Sequence, residues 1–389
     1  MPLALLLSTL KVFLVDLKID LETIGLFSLI ALPYSIKFLW APLVDSISLP
    51  FLQKLGRRRS WMVLSQILLI IFIFLLGSFA NHGLLAITII TSAAAFASAT
   101  QDMAVDAYRI EKFSTEDQGF AASFYVYGYR IGMLISGAFA LFLSELIEWQ
   151  QVYFILACIM TLGLLISLIA DTESAKEAPK AQKLTIWFEQ NVLLPLKDFL
   201  KRQNCYFIFA FIIAFKLCDA FAGTLTLPFL LDIGFSKGQI AAIVKTFGLF
   251  ATLFGAFCGA IIIKKIGMIK ALWAALILQG VSNLAFCLQA YVGADANVLY
   301  GVIFVENFSG GIGDAVFVAY LSSLCNVAFT ATQYSLLVSA ASSARVFLSS
   351  GAGVFAASFG WVNFFFLSFL LAIPAVILLA LLRQRISSN

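Results

Sequence analysis

Segments of about twenty apolar residues, divided by short polar connections, recur along the whole chain, and this repetition decides what it can fold into. Roughly 30 Å of hydrocarbon is crossed by about 20 helical residues at 1.5 Å rise. Spans are predicted near residues 1–15, 22–44, 61–80, 84–108, 118–145, 150–170, 204–231, 238–262, 268–292, 297–322, 333–357 and 361–382. With 62% hydrophobic and only 12% charged residues, the chain has too little polar surface to cover itself in water. The bilayer is therefore its solvent. The expected fold class is all-α integral membrane, with about 12 transmembrane helices in two six-helix bundles.

Lys and Arg in the connections orient the spans. One set of connections holds Lys54, Arg57, Arg58, Arg59, Arg109, Lys112, Lys176, Lys180, Lys183, Lys197, Lys201, Arg202, Lys264, Lys265, Lys270, Arg383 and Arg385; the other holds only Lys18 and Lys237. Both termini are thus expected in the cytoplasm. The net charge of +4 reports this topology and gives no reason to expect a nucleic-acid partner. No cleavable signal peptide is evident at the start. The six cysteines lie in or beside apolar runs without paired spacing and read as buried hydrophobes, not as disulfides or metal ligands.

One polar stretch divides the chain. Residues 1–170 are expected to form an N-terminal six-helix bundle, 171–203 a cytoplasmic linker, and 204–389 a C-terminal bundle. Within the linker, Asp171 to Lys183 is highly charged; Leu184, Phe188, Leu193, Leu196, Phe199 and Leu200 then alternate with charges as in an interfacial amphipathic helix. The two halves resemble each other. Phe13, Leu14, Asp16 and Ile24 match Phe229, Leu230, Asp232 and Ile240; Asp102, Ala107 and Tyr108 match Asp314, Ala319 and Tyr320; Gln118 and Arg130 match Gln333 and Arg345. Such parallel repeats place a substrate site at their interface. In this register Met1 aligns with Leu217, so the first helix is expected to be truncated by roughly a dozen residues relative to the seventh.

Ionisable groups in hydrocarbon are costly unless they pair or line an aqueous cavity, so they mark function. Arg130, Lys216, Asp219 and Arg345 fall near mid-span, and Lys37, Asp102, Asp106, Lys245, Glu306 and Asp314 lie at other depths. Asp102 and Asp106 share one helix face, where mutual repulsion and burial suit a proton carrier; the alternative is a fixed counter-ion role, favoured for Asp106. Lys216 and Asp219, three apart, form either a proton-operated switch or a static salt bridge. Arg130 and Arg345 either bind a substrate carboxylate or neutralise Asp102, Glu306 or Asp314. Gln101, Tyr127, Tyr129, Gln279, Asn283, Asn307 and Gln333 offer hydrogen bonds to a polar solute, against hydrogen bonds between helices, the reading favoured for any one of them alone. Gly128, Gly132, Gly310, Gly311 and Gly313 are read as allowing close packing or bending. Asp45 followed by Gly56, Arg57, Arg58 and Arg59 joins the second and third spans and reads as a cytoplasmic gate, against the plain topology signal of its arginines.

Enzyme signatures are missing from the sequence: it has no phosphate-binding loop with Lys and Ser, no HExxH and no Gly-x-Ser-x-Gly elbow. We therefore expect no enzyme, no cofactor and no metal, and a driving force drawn from an ion or solute gradient.

The Asp45…Gly56-Arg57-Arg58-Arg59 connection resembles the signature of the major facilitator superfamily, with a longer spacing. Further strings resemble the AmpG-type muropeptide permeases. They are Phe38-Leu39-Trp40-Ala41-Pro42-Leu43-Val44-Asp45, Gln101-Asp102 with Asp106-Ala107, Gly128-Tyr129-Arg130-Ile131-Gly132-Met133, Lys216-Leu217-Cys218-Asp219-Ala220-Phe221, Lys245-Thr246, Leu278-Gln279-Gly280 with Ser282-Asn283, Glu306-Asn307 with Gly310-Gly311, and Ala331-Thr332-Gln333. The resemblance covers about Pro2 to Trp361. It implies a multi-pass protein of the bacterial inner membrane importing anhydromuropeptides for wall recycling by proton symport and alternating access. Among the intramembrane acids, Asp102, Asp219 and Glu306 are the expected proton-coupling residues. The expected substrate-binding residues are Tyr127, Arg130, Lys216, Lys245, Gln279, Asn283, Asn307 and Arg345, which fit such a solute, the cationic ones serving peptide carboxylates. Its partners would be the muropeptide, the proton and the lipid bilayer, with the protein a monomer. Asp314 departs from the pattern, which has a small or neutral residue there. A porter for another solute (acetyl-CoA-like, drug or sugar) and a non-transporting membrane scaffold are the alternatives.

Overall fold

The computed structural model describes residues 1–79, 83–114, 116–171, 184–349 and 352–387. Among the described residues every regular element is helical. Ten helices among these residues are long and apolar enough to cross a membrane: Glu22–Leu39, Arg57–Ser78, Leu84–Lys112, Gln118–Ser144, Trp149–Ile169, Cys205–Asp232, Gly238–Ile266, Met268–Val292, Ala296–Ser323 and Ala352–Leu382. The two remaining expected spans differ for physical reasons. The first is helical from Pro2 to Asp16, passing through a π-helical turn at Leu5–Thr9, and is short. The eleventh, α11 (Thr330–Ser349), carries Thr330, Thr332, Gln333, Ser335 and Ser339, so its apolar content is diluted. The last of the ten holds two predicted pieces: Gly360, at φ +76°, breaks the helix immediately before Trp361.

The elements used below are α1 (Leu10–Asp16), α2 (Ala41–Ser46), α3 (Arg57–Ser78), α4 (Leu84–Lys112), α5 (Gln118–Leu134), α6 (Trp149–Ile169), α7 (Leu217–Asp232), α8 (Gly248–Ile266), α9 (Met268–Val292), α10 (Ala296–Ser323), α11, and α12 (Ala352–Leu370). The charged stretch expected before Lys183 falls on 172–183, outside the described residues. After it, Leu184–Phe188, a π-helical Glu189–Leu193 and Leu194–Leu200 form one linker helix, with Ile186, Phe188, Leu193, Leu194 and Leu200 exposed.

Two compact units result. One contains Met1–Lys112, Gly128–Asp198 and Cys325–Ser339; the other contains Phe113–Tyr127, Phe199–Leu324 and Ala340–Asn389. The first unit packs Leu10, Phe13, Leu69, Ile73, Ala95, Tyr153 and Leu156 into its core. The second packs Phe221, Phe229, Phe286, Leu299, Ile303, Phe364 and Phe365.

Around Leu14 and Asp16 in one half and Leu230 and Asp232 in the other, the two halves build equivalent structures. After α1, Ile19 N donates to Leu14 O at 3.1 Å, and after α7, Phe235 N donates to Leu230 O at 3.0 Å. This is a Schellman closure, which needs a left-handed residue: Lys18 at φ +60° in one repeat and Gly234 at φ +105° in the other. Trp149 Nε1 donates to Asp16 at 2.7 Å, and Trp361 Nε1 donates to Asp232 at 2.6 Å. Gly56 (φ +82°, ψ 171°) and Gly267 (φ +80°, ψ 164°) start α3 and α9 with nearly the same backbone.

Inside the second unit, α8 and α10 cross with their backbones in contact. A Cβ on Gly255 would lie 2.1 Å from Phe308 O, and one on Gly311 would lie 2.2 Å from Thr252 O. Of the glycines singled out in the sequence, Gly311 and Gly313 are packed tightly, whereas Gly310 and Gly128 face open space. Small residues substitute for a hydrophobic driving force where lipid is the solvent.

Candidate functional site

Asp45, Arg57 and Arg58, expected from the sequence to form a cytoplasmic gate, build a buried charge cluster in the first unit. The Arg58 side chain is wholly buried and Asp45 nearly so. Arg58 Nη2 donates to Asp45 Oδ1 at 2.6 Å, and Arg58 also donates through Nε to Glu111 at 3.1 Å and through Nη1 to Val44 O at 2.9 Å. Arg57 donates to the Asp45 carbonyl and, at 3.4 Å, to Glu111. The remaining Asp45 lone pairs face the start of α11: Ala331 N donates at 3.0 Å, Thr332 N at 2.7 Å and Thr332 Oγ1 at 2.5 Å. Thr330 Oγ1 donates to Glu111 at 2.8 Å. A carboxylate at a helix N-terminus satisfies orphan N–H groups and the helix dipole together. Gly56 contributes backbone: its positive φ turns the chain so that Arg57 and Arg58 start α3 beside α2.

The linker helix holds both sides of this cluster. Trp187 Nε1 donates to Ser46 Oγ at 3.2 Å. Gln333 Nε2 donates to Asp198 at 2.8 Å and to Pro195 O at 3.1 Å, while its Oε1 accepts from Asn326 N at 2.7 Å. Gln333 therefore serves the protein's own contacts. Beyond the spans, Lys112 Nζ meets Asp171 at 2.8 Å, and this hydrogen bond holds the Asp171 carboxyl below its usual range.

Deeper in the same unit, Lys37 Nζ lies 4.0 Å from Asp102, whose side chain is 39% exposed. Asp106 is buried and pairs with Arg109 at 3.4 Å, and Arg109 donates to the Tyr334 hydroxyl at 3.3 Å. The two aspartates of α4 thus have different neighbours: Asp102 is open to solvent-sized space, and Asp106 is tied into the scaffold. The Arg130 guanidinium stacks over the Tyr129 ring at 5.0 Å.

The second unit assembles a second cluster. Lys216 Nζ donates to Asp314 at 2.6 Å and lies 3.6 Å from Asp219. Asp314, which the sequence marked only as a departure, is thus the closer partner. Ser282 Oγ donates to Glu306 at 2.6 Å. Gln279 and Asn283 are 2% and 1% exposed; both amide atoms of Gln279 and Oδ1 of Asn283 have no hydrogen-bond partner. Tyr127 and Asn307 hydrogen-bond within the unit: Tyr127 to Leu253 O at 2.8 Å, Asn307 to Ile303 O at 3.0 Å and with Thr252 at 3.1 Å. Lys245 is exposed. The Arg345 backbone belongs to α11, and its side chain lies outside the described residues.

One feature escaped sequence reasoning. Lys37, Lys216 and Lys245 each sit where the α-helix is irregular: Lys37 in a 3-10 turn (Lys37–Leu39), Lys216 between Cys205–Phe215 and α7, and Lys245 in the π-helical Ala241–Phe247. Broken helices and π-bulges concentrate at functional sites because they free backbone groups and re-aim side chains. Glu111 also escaped, since it follows Arg109 at a span end and reads as part of a charged loop.

The profile of the Major Facilitator Superfamily matches residues 1–292. The anhydromuropeptide permease of Escherichia coli (strain K12) is 39% identical over 388 residues, covering 99% of this chain and 77% of that protein. The putative transporter AmpG 4 of Rickettsia felis is 37% identical over 391 residues, covering 100% and 94%. Among solved structures, the human organic anion transporter MFSD10 superposes with TM-score 0.68 at 15% identity, covering 94% of this chain and 87% of that one. The E. coli fucose:proton symporter superposes with TM-score 0.63 at 13% identity, covering 98% and 96%.

Proposed function

The chain belongs to the Major Facilitator Superfamily, in its AmpG-type branch, and from that membership we propose that it imports anhydromuropeptides across the bacterial inner membrane by proton-coupled alternating access. The observation that carries this reading is the 39% identity to an anhydromuropeptide permease along 99% of the chain. Ionised side chains within the spans support it, because hydrocarbon tolerates such groups where they serve a polar path.

In this reading the excess of Lys and Arg places both termini in the cytoplasm, with bundles 1–170 and 204–389 joined by the 171–203 linker. The Asp45–Arg58–Glu111 cluster is the cytoplasmic gate: while Asp45 caps α11, α2 and α11 stay joined, and inward opening requires that cap to break. Asp102, Asp219 and Glu306 are the proton-coupling candidates, since their side chains are partly exposed beside cations or hydroxyls and not tied off as Asp106 is. Arg130, Arg345 and Lys245 serve the anionic groups of the substrate. Tyr127 and Asn307 hold helices in place, and Gln279 and Asn283 keep hydrogen-bonding capacity for the solute. Lys216 works as a bridged pair with Asp314. The transporter acts as a monomer.

Uptake of radiolabelled anhydromuropeptide into right-side-out vesicles tests the proposal. Accumulation that collapses on addition of a protonophore is expected. Vesicles holding folded protein that accumulate none would overturn it.

A further inference from the structure

The second-unit cluster has more hydrogen-bond acceptors than donors. Its described side chains supply three carboxylates, Asp219, Glu306 and Asp314, against one ammonium, Lys216. Asp314 holds Lys216 at 2.6 Å, while Asp219 stands off at 3.6 Å. Glu306 accepts from Ser282 and has no ion-pair partner among the described residues. Two buried amides stand behind these acids. Gln279, Ser282 and Asn283 share one face of α9 at spacings of three and four. The Gln279 amide lies against Gly313, the neighbour of Asp314, so closely that a Cβ there would sit 2.3 Å from Nε2. Asn283 Nδ2 reaches only the Cys218 carbonyl, at 3.5 Å, beside Asp219. Gln279 Oε1 and Asn283 Oδ1 accept from nothing, and buried acceptors left unpaired are costly.

We infer that this cluster is a binding site for a primary ammonium group of the transported solute, placed among Asp219, Glu306 and the Gln279 and Asn283 oxygens. The inference rests on the import reading above and assigns part of the solute to this site. An ammonium carries a positive charge and three donors but no acceptor, which complements an excess of acids and two buried amide oxygens that accept from nothing, while Gln279 Nε2, also without a partner, lies against Gly313. A metal ion fits less well: Lys216 sits within the acids, and no group of three or more His, Cys, Asp or Glu is placed to hold one among the described residues. The acids are reached from solvent, the Asp219 and Asp314 side chains being 32% and 25% exposed, whereas the Gln279 and Asn283 oxygens lie buried behind them and are met only as the ammonium replaces the packing in front of them. If all four groups are ionised the cluster carries two negative charges in excess, so one ammonium and one proton neutralise it together. That arithmetic gives the coupled entry of a cationic group and a proton a physical basis.

The test uses two substrates and the full-length protein in vesicles: an anhydromuropeptide whose stem peptide carries a free side-chain amine, and the same molecule acetylated on that amine. Wild-type protein is expected to take up the acetylated compound with a KM at least tenfold higher. Gln279→Leu and Glu306→Gln are expected to bring the ratio of the two KM values toward one. The wild-type comparison requires no variant to fold. Equal KM values in the wild type would overturn the inference and leave import intact, whereas uptake of neither compound would overturn the import reading. Equal KM values with uptake dependent on sodium ions would assign the cluster to a coupling metal ion and also overturn the inference.

Discussion

Replacing Asp45 by Asn keeps the side chain's shape and removes its charge, which makes it a direct probe of the gate. The carboxylate accepts from Arg58, Ala331 N, Thr332 N and Thr332 Oγ1. An asparagine oxygen can retain Arg58 and Ala331, but its amide nitrogen cannot accept from Thr332 and becomes a second donor facing Thr332 N. Each charge-assisted hydrogen bond contributes about 1.5–3 kcal/mol, and a carboxylate at a helix N-terminus a further 0.3–1 or so. Losing one such bond and the charge removes about 3 kcal/mol from the joined state. At 1.4 kcal/mol per factor of ten, that shifts the equilibrium about a hundredfold toward opening. Ser335 reports the change: it lies one turn beyond Ala331 on α11 and is 1% exposed. With the six native cysteines replaced and Ser335→Cys introduced, the rate of alkylation by an impermeant maleimide should rise about a hundredfold in Asp45→Asn. An unchanged rate in folded protein would show that this cluster does not hold α2 to α11, and the gate argument would fail.

Three further outcomes follow from packing and backbone. Gly311→Ala places a methyl 2.2 Å from the Thr252 carbonyl and should lower stability by about 3 kcal/mol, whereas Gly310→Ala, facing open space, should leave the melting temperature in detergent unchanged. Lys18 adopts the left-handed conformation that Gly234 occupies in the other repeat; Lys18→Gly should therefore stabilise by about 1 kcal/mol, read as a higher melting temperature. Gln333→Leu keeps bulk but releases Asp198, Pro195 O and Asn326 N, and should raise Ser335→Cys alkylation by about a hundredfold or more, since three hydrogen bonds at about 1 kcal/mol each come to about 3 kcal/mol.

The spans and the duplication were legible because each depends on local composition or on register. Hydrocarbon thickness sets span length, so apolar runs located most of the ten crossing helices. Phe13, Asp16 and Ile24 could be matched to their counterparts because the same closure and the same Trp–Asp bond recur. The pairings were less visible, since they depend on where distant helices meet. Nothing in the sequence near Lys216 indicates that Asp314, 98 residues away, is its closer partner. Glu111 looked like loop charge until Arg58 and Thr330 met on either side of it. The irregular backbone at Lys37, Lys216 and Lys245 was also hidden, because hydropathy does not distinguish a regular span from an interrupted one.

The two repeats have kept their path and diverged in chemistry, and the difference sorts structural residues from working ones. Lys18 and Gly234, Trp149 and Trp361, and Gly56 and Gly267 do the same task twice, and each task fixes where a helix begins or ends. Apart from Asp16 and Asp232, which accept from those tryptophans, the charged groups discussed above do not repeat in this way. Beside Gly56 stand Arg57 and Arg58, bound to Asp45 and Glu111; Gly267 follows Lys264 and Lys265, which form no ion pair among the described residues. Asp102 faces Lys37 at 4.0 Å, and its counterpart Asp314 faces Lys216 at 2.6 Å in a cluster rich in acids. The Asp45–Arg58–Glu111 cluster and the acid-rich cluster around Lys216 are therefore what the repeats do not share. Transplanting the Asp45–Arg58 pairing into the connection around Gly267 should therefore slow uptake, because a second lock would oppose the opening that the first one controls.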